Sequence, residues 1–219
     1  KIDDGALSFK VESVKKTYLT IRSESKGKII NGKGINFPGI TLDVSTITQK
    51  DVKDIKTAVK LDIDWLAMSF VRSSEDMNKV KDVLDAKDHY IPIIAKIEKP
   101  EAIKNIEEII NFSDGLMVAR GDLGIEIPAE EVPLIQKELV IKSKRSRIPI
   151  IIATQMMESM IENLSPSRAE VNDVANSVMD GADAVMLSGE TSVGNYPVEV
   201  VKSMTSIINK VENSNLIKI

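Results

Sequence analysis

The sequence predicts an α/β fold built on a parallel sheet, preceded by a short all-β unit. Three observations lead there. Apolar runs recur at Trp65–Val71, Ile91–Ile97, Gly115–Ala119, Ile148–Thr154 and Asp183–Leu187, with helical patterns between them. The runs are apolar on both faces, as strands must be when crossover helices cover both sides of a sheet. Charged and hydroxyl side chains collect at the carboxyl ends of the runs, which favours a TIM-type (β/α)8 barrel over a doubly wound sheet. Only five such runs are visible where a barrel needs about eight, so the barrel is expected to be incomplete.

The elements follow in order. From Lys1 to Asn36, Leu7, Phe9 and Val11 alternate with polar residues, as do Leu19 and Ile21, before the Gly/Asn-rich stretch Ile29 to Gly39. Residues 1–36 therefore read as the last part of a small β domain, and residues 37–219 as the later part of the barrel. Val52, Ile55 and Val59 mark the first helix, and further helices are expected over Glu75–Asp88, Glu101–Ile110, Glu130–Arg145 and Arg168–Asp180. Ser165-Pro166-Ser167 starts the last of these and Gly181 stops it. No internal repeat or low-complexity tract interrupts the pattern.

Composition narrows the function. With 219 residues and 42% hydrophobic content the chain can bury a real core. A net charge of -4 with acids and bases interspersed makes no basic stripe, so neither nucleic acid nor an anionic membrane is an expected partner. The lack of cysteine excludes disulfides and thiolate metal sites. Without a signal peptide or a long uncharged apolar run, a cytoplasmic location is expected. The chain opens at Lys1 without a methionine and in mid-pattern, which leads us to expect a piece of a longer protein.

The candidate chemistry lies between Lys96 and Pro128. Strand alternation turns Lys96 and Glu98 to one face, so an ammonium and a carboxylate share a site. After the run Gly115–Ala119, the turn Arg120-Gly121-Asp122-Leu123-Gly124 delivers a second carboxylate to the same sheet end, and two such oxygens suit Mg²⁺. Lys96 and Glu98 could equally form a structural ion pair. Gly121 and Asp122 open a short helix whose amides suit an anion, or simply make a tight turn. Thr154 ends its strand as a cap or as a site hydroxyl. Met156, Met157 and Met160 fill core space, and His89, the only histidine, takes no role.

The chain resembles pyruvate kinase in AKIE (Ala95 to Glu98), MVARGDLGIEIP (Met117 to Pro128), ATQMMESM (Ala153 to Met160), SRAEVNDVANSVMDGADAVMLSGET (Ser167 to Thr191) and SFVR (Ser69 to Arg72). These blocks are long and ordered and cover nearly the whole chain. The resemblance implies the last step of glycolysis, phosphoryl transfer from phosphoenolpyruvate to ADP to give pyruvate and ATP. It implies Lys96 as the cation at the moving phosphoryl group, Glu98 and Asp122 as ligands of Mg²⁺ or Mn²⁺, and the Gly121 and Asp122 amides with Thr154 as partners of the substrate carboxylate. Thr154 would also relay a proton to the enolate carbon. Arg120 would support its loop, and Glu158 and Ser159 would stand behind Thr154.

The resemblance further implies that Asp4 and Lys33 face the cleft and the nucleotide and that Arg168 lies at a subunit interface of a homotetramer; Ser188 and Glu190 close the last visible strand, and the loop from there to Gly194 is expected to approach the nucleotide or the adjoining domain. The first three barrel strands and the K⁺ ligands would lie upstream of Lys1, with the small domain acting as a lid. Two alternatives stand beside this reading: another Mg²⁺-dependent barrel enzyme acting on phosphoenolpyruvate or oxoacids, and a truncated piece that binds metal without turnover.

Overall fold

Alternation near the amino end produces an antiparallel hairpin, β1 (Phe9–Val14) and β2 (Leu19–Ser23), with a register shift between Val11 and Ser13. The computed structural model describes residues 1–3, 5–40, 44–85 and 90–214. Leu7 is buried, and Ile2 bridges to both Leu7 and Ile35, so the hairpin is anchored at its base. Val11, Leu19 and Ile21 are exposed. The alternation seen in the sequence has no covering layer among the described residues.

The rest of the chain is α1 (Gln49–Lys60), β3 (Leu66–Met68), α2 (Ser74–Asp85), β4 (Ile93–Ile97), α3 (Pro100–Lys104), α4 (Ile106–Asn111), β5 (Gly115–Ala119), α5 (Arg120–Glu126), α6 (Val132–Ser146), β6 (Ile150–Ala153), α7 (Arg168–Asp180), β7 (Ala184–Met186), α8 (Gly189–Ser192) and α9 (Pro197–Glu212). Strands β3 to β7 form one parallel sheet in chain order. β3 and β7 are its two outer strands, as expected for a barrel present in part. No helix among the described residues is long and apolar enough to cross a membrane.

Helix ends follow their sequence signals. Thr48 with Asp51, and Ser167 with Glu170, form capping boxes at α1 and α7, and Gly181 closes α7 at φ 102°. Three expectations need correction. The helix expected over Glu101–Ile110 is two helices, because Asn105 leaves helical geometry and its Nδ2 donates to Arg72 O at 2.9 Å. The helix expected from Glu130 starts as a 3-10 turn, Ala129–Glu131, with Pro133 in the first turn of α6. The first apolar run supplies a strand of only three residues, because Phe70 at φ 57° turns the chain out of the sheet.

The two sheet faces carry separate clusters. Ile93, Ala95, Ile97, Leu116, Val118, Ile150 and Ile152 pack beneath Val80, Ile109, Leu139 and Val174 of the helices. Each Val, Leu or Ile among them contributes about 1.5–3 kcal/mol on burial. On the other face Ile94, Met117 and Ala153 form a small cluster with Ile151 and Met186. Because β4 alternates, Lys96 lies on the face of Ile94, away from the helices. Asp114 and Asp183 set the sheet edge: each accepts the amide of the first or nearly first residue of the strand beside it, Ile93 and Ile150, at 2.8 Å, and donates its own amide back to that residue's carbonyl.

Candidate active site

The register of β3, β4, β5 and β6 brings their carboxyl ends level, so residues distant in sequence meet there. Met68 pairs with Ala95, which puts Ser69 beside Lys96. The Lys96 ammonium donates to Ser69 Oγ at 2.7 Å and lies 2.7 Å from Glu98 Oε1. The Glu98 side chain is 1% exposed against 23% for Lys96, so the carboxylate is the buried member of the pair. Its Oε2 accepts the Phe70 amide at 2.6 Å, whereas Oε1 is buried without a hydrogen bond of good geometry.

Burial pushes the Glu98 carboxyl above the ordinary glutamate range. The Lys96 ammonium and the Phe70 amide oppose the rise, and the negative charge of Asp122 adds to it. Two carboxylates that disfavour each other's charge, one with a lone pair left over, form a site that a divalent cation would relieve. Among the described residues no group of three or more acidic or histidine side chains could hold a metal. A cation here would take two protein carboxylates and complete its shell with water and substrate oxygens, which is how Mg²⁺ is usually held.

β5 runs straight into α5, whose first turn carries Asp122 and whose Leu123 and Ile125 are buried. The Gly121 amide donates to Thr154 Oγ1 at 2.7 Å, and a Cβ at Gly121 would sit 3.3 Å from that oxygen. Glycine permits this approach. Thr154 lies just past β6 at φ 70° and Gln155 follows at φ 54°, both left-handed. For a β-branched residue that conformation costs on the order of 1–3 kcal/mol and persists only where its surroundings enforce it. The enforcing contact is Arg120, which donates from Nη2 to Thr154 O and from Nη1 to Asp173 Oδ1, each at 2.8 Å. Arg120 thus supports the loop, as expected.

Behind Thr154, Met156, Met157 and Met160 are fully buried. Glu190, 3% exposed, accepts the Met157 amide at 3.2 Å and the Ser188 amide at 2.7 Å, tying the loop after β6 to the loop after β7. Glu170 accepts from the Ser159 amide at 2.6 Å and from its hydroxyl at 2.5 Å. Burial works against its charge, but these bonds and those from Ser167 outweigh burial and hold Glu170 below the ordinary range. A cleft of about 340 Å³ opens beside them, lined by Gly121, Asp122, Thr154, Gln155, Glu158 and Ser188 among others.

The structure thus gathers Lys96 and Glu98 with Asp122 close enough to act on Glu98, and joins Gly121 to Thr154. Glu158, Ser188 and Glu190 line the cleft beside Gly121, Asp122 and Thr154, whereas Lys33 and Arg168 do not join this group. Lys33 is paired with Asp3 at 2.8 Å in the amino-terminal segment. Arg168 is an exposed first residue of α7. Asp4 and His89 lie outside the described residues. Sequence reasoning gave no role to Ser69 and Phe70, which hold the Lys96–Glu98 pair, or to Lys99 and Glu126, whose side chains meet at 2.6 Å next to it. Strand register is the signal that would have found Ser69. Phe70 acts through its backbone, which no side-chain pattern reports.

Comparison with known proteins identifies the family to which the chain is similar. A family model described as "Pyruvate kinase, barrel domain" matches residues 1–201. A pyruvate kinase of Mycobacterium intracellulare is 47% identical over 214 residues, covering 98% of this chain and 45% of its own length. That of Geobacillus stearothermophilus is 50% identical over 216 residues, covering 97% of this chain and 37% of its own length. A third, from Borreliella burgdorferi, is 49% identical over 212 residues, covering 96% and 44%. The chain spans less than half the length of these curated relatives.

Proposed function

The chain belongs to the pyruvate kinase family, and on that premise we propose that the whole protein transfers the phosphoryl group of phosphoenolpyruvate to ADP. The observation that carries the reading is the Lys96–Glu98 pair, 2.7 Å apart at the end of β4 and under the charge of Asp122. Phosphoryl transfer depends on positioning and charge stabilisation more than on covalent chemistry by the protein. Lys96 supplies a fixed cation, kept in place by Ser69 Oγ and Glu98. Glu98 and Asp122 would hold Mg²⁺ or Mn²⁺, which when bound neutralises charge on the phosphate and enolate oxygens.

Thr154 would serve the second half of the reaction. Its Oγ1 accepts the Gly121 amide, which leaves the hydroxyl proton to point elsewhere, toward a substrate carboxylate or a water that protonates the enolate carbon. The amides of Gly121 and Asp122 would share that carboxylate. In this reading the five strands belong to a closed (β/α)8 barrel, residues 1–36 to its lid, and Lys33 and Asp4 to the lid's nucleotide-facing side. Arg168 would meet a neighbouring subunit of a homotetramer, and K⁺ would be held by residues outside this chain. The cytosol, where glycolysis runs, is the expected location.

The test is metal affinity. Titration calorimetry with Mn²⁺ on E98Q and D122N should show both weakened at least about tenfold, since a ligand is worth no less than a side chain that merely orients one. Undiminished affinity in both would remove the shared site and the reading with it.

A further inference from the structure

Lys99 follows Glu98 directly, and Glu126 stands one turn along α5 from Asp122, on the same helix face. The same two segments therefore face each other twice. One rung sets Glu98 against Asp122, like charge against like. The other sets Lys99 Nζ 2.6 Å from Glu126 Oε1, opposite charges, with the Glu126 side chain 3% exposed and that of Lys99 22%. Lys99 also lies 5.9 Å from the centre of the Phe70 ring, the residue whose amide holds Glu98 Oε2.

We propose that Lys99 and Glu126 are positioning residues that hold α5 against the end of β4, so that Glu98 and Asp122 are already spaced for a divalent cation before one arrives. The attractive rung offsets the repulsive one. Without it, α5 keeps its packing through Leu123 and Ile125 but loses the contact that sets the spacing of the two carboxylates, and a cation must impose that spacing as it binds. The ammonium of Lys99 belongs to the Glu126 carboxylate and to the Phe70 ring, so it acts on the cation through the placement of Glu98 and Asp122 and not as a ligand.

This inference rests on the proposed cation site at Glu98 and Asp122, and its test separates the two. Mn²⁺ affinity is measured by electron paramagnetic resonance on the whole protein carrying K99M, E126Q, both together, or E98Q, with circular dichroism to verify folding. E126Q is close in shape to the native residue and serves if K99M does not fold. Groups hydrogen-bonded to metal ligands cost about 10- to 100-fold in metal affinity when lost, and a contact that places the ligands through their backbone belongs at the lower end of that range. K99M and E126Q should each weaken Mn²⁺ about tenfold, and the double variant should be no weaker than either single one, because both remove the same contact. Single variants within twofold of the parent, or a double variant whose losses multiply, would overturn the clamp while E98Q still loses Mn²⁺. If E98Q also binds Mn²⁺ normally, the cation site itself falls and the clamp with it.

Discussion

Replacing Lys96 by methionine removes the ammonium while keeping most of the side chain's bulk, and two separate losses follow. A fixed donor aimed at developing charge is worth about 10²- to 10³-fold in kcat, or about 2.7–4 kcal/mol. Because that charge is larger in the transition state than in the substrate, KM should change far less than kcat. The second loss is structural. Glu98 is 1% exposed, and breaking a buried pair costs about 3–5 kcal/mol. Lys96 is 23% exposed and partly screened, which puts the cost at about 2–3 kcal/mol, within what a domain of 5–15 kcal/mol can bear.

The sign of the pH dependence is fixed by the same geometry. Glu98 already lies above its ordinary range in the folded protein, and loss of Lys96 raises it further. A carboxyl raised on folding stabilises below its unfolded pKa, and that stabilisation is lost as pH rises through the folded value. K96M should therefore recover stability relative to the parent as pH falls from neutral through the raised Glu98 pKa. Steady-state kinetics and urea denaturation at several pH values on the whole protein measure both effects. A large rise in KM at normal kcat would mean that Lys96 only captures substrate. A stability difference that grows on acidification would refute the assignment of Glu98 as the strained partner.

Two further outcomes are expected. At Thr154, T154G should match or exceed the parent in thermal stability, since relief of a left-handed β-branched residue, about 1–3 kcal/mol, offsets a lost hydrogen bond of about 1 kcal/mol; its kcat should nevertheless fall by about 10²-fold or more, while T154S keeps both the hydroxyl and most activity. The isolated 219-residue chain should associate in light scattering and show no turnover in a coupled assay, because among the described residues the outer edges of β3 and β7 pair with no further strand. A stable monomer with turnover equal to the whole protein would refute the partial-barrel reading.

Much of this was legible in the sequence because it follows from period and spacing. The pairing of Lys96 with Glu98 is a consequence of two-residue alternation, and the α7 boundaries of Ser167 and Gly181, confirmed in the structure, are local cap chemistry. What stayed hidden depends on contacts between segments. The helix break at Asn105 is made by a bond to Arg72 O, 33 residues away. Lys99 and Glu126 are 27 residues apart and read singly as ordinary surface charges. The left-handed turn at Thr154 is unexpected for a β-branched residue until Arg120 is seen holding its carbonyl.

Under the proposed function, the buried carboxylate of Glu190 gives the site a division of labour that Lys96, Glu98 and Thr154 alone do not reveal. It fastens the segment carrying Thr154 to the loop beyond β7, whereas Lys96 and Glu98 lean on Ser69 and Phe70 beyond β3. The Thr154 segment and the Lys96–Glu98 pair are thus braced from opposite borders of the sheet. Damage near the last strand will reach the hydroxyl long before it reaches the carboxylate pair, and damage near the first will do the reverse. If Thr154 serves protonation while Lys96 and Glu98 serve phosphoryl transfer, as proposed, a lesion's position along the chain forecasts which half-reaction fails.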